Sequence, residues 1–231
     1  MGKHPHAKAS KGSEKYIQTL VNTAPELLNE QIAENIPRST QLSIEWVSPI
    51  KPTYYEYSDA DFLNVLGLSV HVSKLKNFWP NGGPHWDALG KGGSGEIYLV
   101  EAKAHIDEIV TPGTAAKSLS KKRIISSLNL VRKFLGIKDN QPWHGKFYQY
   151  ANRIAHLYFL RVICKVDAYL VFVNFLNDDT RSELPSILTP KTKEEWVAAM
   201  RVVENYLAIR GTKLSKYIIH TYVDVRKLPA S

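Results

Sequence analysis

One cysteine, Cys164, is all that 231 residues contain. No intrachain disulfide can form, which excludes a disulfide scaffold and a zinc site built on cysteines. Cys164 closes the apolar run Leu160-Arg161-Val162-Ile163-Cys164, where a buried, inert thiol is expected rather than a nucleophile. Long apolar runs are also missing: none reaches the ~18 residues that a membrane span requires. The segment Met1–Lys15 has no apolar stretch of the kind a secretory signal carries, so the expectation is a cytoplasmic chain with no membrane partner. Neither a Gly-x-Ser-x-Gly elbow nor a Cys/His arrangement is present, which argues against a metal-free hydrolase with a side-chain nucleophile.

What is there suits a folded protein: apolar residues make up 44% and charged residues 23%. The length fits one domain with a sizeable core. Lysine plus arginine outnumber aspartate plus glutamate by 30 to 22, a net charge of +8, which favours an anionic partner such as nucleic acid. The charge is unevenly spread. Lys117, Lys121, Lys122, Arg123, Arg132, Lys133 and Lys138 fall between Thr111 and Lys138 with no acid among them. Between Glu26 and Asp61 the balance reverses, with Glu26, Glu30, Glu34, Glu45, Glu56, Asp59 and Asp61 set against Arg38 and Lys51.

The pattern predicts an α/β fold. Residues 1–13 read as a flexible basic arm and 14–231 as a single α/β domain. Helices are expected over 14–36, with Pro25 a break or kink, and over 59–66, 115–135, 147–162 and 193–209. The last should open on a capping box, Thr192 with Glu195. Strands are expected over 42–47, 96–105, 167–176 and 217–225. The glycine-rich stretch Gly90-Lys91-Gly92-Gly93-Ser94-Gly95 fits Gly-x-Gly-x-x-Gly, but it opens a β-rich segment and not a helix, so a hairpin turn explains it better than dinucleotide binding.

The chemistry concentrates around that turn. Alternation along 96–105 puts Ile97, Leu99, Glu101, Lys103 and His105 on one face and Tyr98, Val100, Ala102 and Ala104 on the other. A carboxylate and an ammonium thus emerge at the C-terminal end of a strand that is apolar on both faces, where a charge survives only with partners or a metal ion. Asp87, fourteen positions before Glu101, is brought beside it if the glycine turn folds the strands together. Two neighbouring carboxylates repel, and a hard divalent cation relieves the repulsion.

Asp87 followed by Glu101-x-Lys103 on an apolar strand resembles the signature of the PD-(D/E)XK nuclease superfamily, although Trp86 and not proline precedes the aspartate. The resemblance implies a restriction-endonuclease-like core of helix, three strands, helix and strand. This core would cover about 50–176, with an N-terminal helical extension and an added helix and strand within 177–231. It implies Asp87 and Glu101 as ligands of Mg²⁺ or Mn²⁺ and Lys103 beside the attacking water. The wider text, Trp79-Pro80-Asn81-Gly82-Gly83-Pro84-His85-Trp86-Asp87 with Val100-Glu101-Ala102-Lys103-Ala104-His105, is similar to that of an uncharacterised bacterial family. The superfamily often adds an acid from the first core helix, for which Glu56 and Glu30 are the candidates, Glu56 preferred.

Further candidates come from position. His105 continues the Glu101 face, as an extra ligand or, more simply, a hydrogen-bonded strand-end histidine. Gln149, Arg153 and His156 form one polar stripe on an apolar helix, facing either the site or solvent. Lys117, Lys121, Lys122 and Arg123 are the expected phosphate contacts, and Trp79, Trp86, Trp143, Tyr148 and Tyr150 could stack on bases or belong to the core. The expected function is a metal-dependent phosphodiesterase acting on nucleic acid, DNA in preference to RNA. Its alternative is a non-catalytic nucleic-acid-binding or interaction protein.

Overall fold

The computed structural model describes residues 3–4, 6–36, 42–138, 141–180 and 188–229. In chain order the elements are β1 (Lys3–His4), α1 (Gly12–Thr23), α2 (Pro25–Ala33), β2 (Ile44–Ser48), β3 (Glu56–Tyr57), α3 (Asp59–Val65), α4 (Val72–Phe78), β4 (Ala88–Gly92) and β5 (Ile97–Lys103). They continue with α5 (Ser118–Leu135), α6 (Tyr148–Tyr158), β6 (Ala168–Leu176), α7 (Lys193–Tyr206) and β7 (Ile218–Asp224).

Five strands form a mixed open sheet in the order β2-β4-β5-β6-β7. β4 runs antiparallel to both β2 and β5, whereas β5, β6 and β7 are parallel to one another. A parallel pair needs a crossover, and α5–α6 provides it between β5 and β6, α7 between β6 and β7. The alternation read from the sequence separates two cores. Ile97 and Leu99 face α5, α6 and α7. Tyr98, Val100, Ala102 and Ala104 face α1 and α2. The chain is therefore a three-layer α/β protein with β5 and β6 sealed on both sides. No helix among the described residues is long and apolar enough to cross a membrane.

Local chemistry accounts for most boundaries. Pro25 cannot extend α1 and becomes the first residue of α2. Gly136 adopts the left-handed conformation that stops α5. Thr192 and Glu195 form the expected capping box on α7. The glycine stretch is a hairpin: Gly92 N donates to Glu96 O and Gly95 N to Gly92 O. Gly90 also answers a packing need, since a Cβ there would meet Ile44 Cγ2 at 2.5 Å and the Trp46 ring at 3.1 Å.

Several boundaries differ from expectation. The sheet recruits β2, which precedes residue 50. The pair α1–α2 covers a whole sheet face. Helix α6 ends at Tyr158 and widens into a π turn over Phe159–Cys164. Helix α4 is an addition to the expected elements. The arm is not free where it is described: β1 pairs with β3, His6 N donates to Thr53 O, and Ala9 N donates to Gln18 Oε1.

Candidate functional site

The β4–β5 hairpin sets the site. Ala88 pairs with Val100 in antiparallel register, which places Asp87 opposite Glu101. Residues directly opposite on antiparallel strands project to the same face, here the face of Leu89 and Leu99. Asp87 N donates to Val100 O, and Asp87 Oδ2 accepts from Ala102 N at 2.6 Å. Burial, then the Glu101 charge, holds the Asp87 carboxyl well above the usual carboxylate range.

Glu101 is 2% exposed and engaged at both carboxylate oxygens. Its Oε1 takes Lys103 Nζ at 2.6 Å, and its Oε2 lies 2.6 Å from both Nε and Nη2 of Arg153. Burial alone would raise its pKa, but the charges of Arg153 and Lys103 outweigh burial and hold it below the ordinary value. Lys103 is likewise buried, yet Glu101, Asp87 and Glu108 around it push its pKa up, so it is an ammonium in the folded protein. Arg153 is fixed from three further sides: Nη1 donates to Asn152 Oδ1, Nη2 to His85 O, and the guanidinium lies 5.0 Å from the Trp86 ring.

The polar stripe of α6 therefore turns inward. Gln149 shares a cleft with Glu101, Lys103, Glu108, Ile109 and Phe172, with room for about one water-sized group, roughly 10 Å³. His156 is packed among Phe62, Trp79 and Trp86, its Nδ1 2.8 Å from Asn152 O. Burial lowers its pKa to about 4, so it is neutral and structural.

His105 lies two residues past the end of β5 and is the hydrogen-bonded strand-end histidine of the simpler expectation. It is 1% exposed and packed between two carboxylates. Its Nδ1 is 3.1 Å from Glu108 Oε1, and its Nε2 is 2.8 Å from Asp178 Oδ2, off the line of a hydrogen bond. Asp178 Oδ1 in turn accepts from Tyr16 at 2.6 Å and from the Thr180 hydroxyl and amide. Glu108 accepts from Ala104 N, His105 N and the Ser13 hydroxyl. This knot ties the end of β5 to α1 and to the segment after β6.

Glu56 lies on β3 ahead of α3 and near the site; burial, then the charges of Glu14 and Glu101, push its carboxyl up to about 7. Glu30 is exposed on α2. Trp79, Trp86, Trp143 and Tyr150 are buried core residues, Tyr150 stacked on Phe172 at 4.3 Å, which leaves only half-buried Tyr148 of the aromatic candidates for a ligand.

Lys117, Lys121, Lys122 and Arg123 are all exposed around the start of α5, and none pairs with a carboxylate among the described residues. Arg123 donates to Lys76 O. Lys117 at the N-cap and the cations that follow lie toward the positive end of the helix dipole, which does not favour them there. The loop before them touches α6, since Thr111 Oγ1 accepts from Gln149 N.

A divalent cation between Asp87 and Glu101 passes one chemical test. Asp87 faces a second carboxylate with a backbone amide as its one donor among the described residues, and Glu101 Oε1 keeps a lone pair beyond the Lys103 bond. Arg153 is the competitor for that position. Sequence reasoning missed Arg153, Glu108, Asp178, His6 and Glu14; the first was visible only as one member of an unassigned stripe. Compared with protein-family models, with curated proteins and with solved structures, the chain matches none.

Proposed function

We propose that the chain is a metal-dependent phosphodiesterase acting on nucleic acid, DNA by preference, with a restriction-endonuclease-like core. The observation that carries the reading is the facing pair Asp87 and Glu101 on the β4–β5 hairpin, with Lys103 Nζ 2.6 Å from Glu101. With α2, β3, α3 and α4 set aside as insertions, α1, β2, β4, β5, α5–α6 and β6 also support it: they follow the helix, three strands, helix and strand that the resemblance implies, though α1 and β2 precede the expected start of the core near residue 50.

Asp87 and Glu101 would hold Mg²⁺ or Mn²⁺. When bound, such an ion acidifies a water and offsets charge on phosphoryl oxygens. The chain's own residues do the rest. Lys103 stays protonated, and its ammonium can orient a water and meet developing negative charge. Arg153 keeps Glu101 ionised and aimed. The exposed cations of α5 hold backbone phosphates without reading sequence.

Lys103→Ala is expected to abolish cleavage of duplex or single-stranded DNA in Mg²⁺ or Mn²⁺, by about 10²-fold or more, with circular dichroism unchanged. Cleavage at the wild-type rate would overturn the mechanism. One observation favours a second reading, non-catalytic binding: both Glu101 oxygens are already bonded by Lys103 and Arg153, so an ion pair balances the charge without a metal. Salt-dependent DNA binding with no cleavage in either metal selects that reading.

A further inference from the structure

A second group of ligating side chains lies outside the Asp87–Glu101 pair. His6 comes from the segment after β1, Glu14 from the first turn of α1, and Glu56 from β3. One donor atom of each lies within 4.8 Å of the other two. His6 Nδ1 is 2.9 Å from Glu14 Oε1, and His6 Nε2 is 3.5 Å from Glu56 Oε2. From this geometry we infer a divalent transition-metal site built from His6, Glu14 and Glu56. The inference does not rest on the nuclease reading.

Three arguments support it. The first is charge: two carboxylates converge on one imidazole, and His6 is the sole ion-pair partner of either among the described residues. The Glu56 side chain is only 13% exposed, so water does little to screen its charge, whereas Glu14 is 41% exposed. The second is spacing. Ligands held tetrahedrally about 2.1 Å from an ion are ~3.4 Å apart, close to the His6–Glu56 separation. Glu14 Oε1, 2.9 Å from His6 Nδ1, brings the third donor within the same reach. The third is assembly: β1 pairs His4 with Glu56, and His6 N donates to Thr53 O, so backbone contacts place His6 beside Glu56. Imidazole with carboxylates suits Zn²⁺, Mn²⁺ or Fe²⁺ better than the all-oxygen preference of Mg²⁺ or Ca²⁺.

The test is calorimetric titration of the full chain with ZnCl₂, alongside thermal melting with and without the metal. Wild type should bind one Zn²⁺ and melt higher with it. His6→Ala, at a position 32% exposed on the arm, should bind at least tenfold more weakly and lose the rise in Tm, and Glu14→Gln should do the same. Glu45→Gln, an exposed acid of β2 outside both carboxylate groups, should bind as wild type does. Three results overturn the inference: no Zn²⁺ binding by wild type, unchanged binding by both His6→Ala and Glu14→Gln, or binding abolished by Asp87→Asn and untouched by His6→Ala. The last places the ion on the hairpin pair and leaves the nuclease reading standing.

Discussion

Replacing Glu56 by glutamine isolates one buried charge. The carboxyl rises from an ordinary value near 4.5 to about 7 through burial and the neighbouring Glu14 and Glu101 charges. A raised acid binds its proton more tightly in the folded chain than in the unfolded one. Its favourable contribution is therefore complete below about pH 4.5 and lost as pH rises through about 7. About 2.5 units correspond to about 3 kcal/mol at 1.36 kcal/mol per unit. The side chain is 13% exposed, so solvent screening removes little of this. Glutamine keeps the shape and does not titrate. Urea unfolding of both proteins in EDTA, from pH 4.5 to 8, reads the difference. Wild type should lose about 3 kcal/mol relative to Glu56→Gln across that range, about 1–1.5 M in midpoint at slopes of 2–3 kcal/mol/M. Parallel curves, or a wild type that gains on the variant as pH rises, refute the reasoning.

Arg153→Met strands Glu101 without its main counter-charge and should cost about 3–5 kcal/mol in urea unfolding; a loss under about 1 kcal/mol would mean Lys103 alone suffices. Gly90→Ala drives a methyl into Ile44 and Trp46 and should cost about 1–3 kcal/mol, with no change if β2 can shift away. Replacing Lys117, Lys121, Lys122 and Arg123 together by alanine should reduce the slope of log affinity for duplex DNA against log salt by about 3–4, at about 0.9 for each phosphate no longer neutralised. An unchanged slope moves the phosphate-binding surface elsewhere.

Much of this was legible in the sequence because the relevant signals are local. The strand Ile97–Lys103 announces itself through alternation, and the glycines before it through turn chemistry. The register that faces Asp87 with Glu101 follows from those two. Arg153 was not legible, since its stripe with Gln149 and His156 has the period of either a solvent face or a site face. Only the burial of α6 on every side decides between them. His105 was legible as a hydrogen-bonded histidine at the strand end, but its second carboxylate, Asp178, comes from a distant segment that no local pattern reveals. The His6–Glu14–Glu56 group was invisible: its members come from an arm, a helix and a two-residue strand, and their contact depends on tertiary packing.

The parallel strands have a consequence for how such a protein can diversify. Lys103, Asn174 and Tyr222 sit side by side where β5, β6 and β7 reach the same rim. The chain leaves the sheet there after each strand, and the His105–Asp178 contact clamps the first few residues of two of those connections. Past the clamp, insertions and deletions disturb neither the register below nor the charged residues at the rim. Loop length and sequence past the clamp can therefore vary while the sheet is kept unaltered.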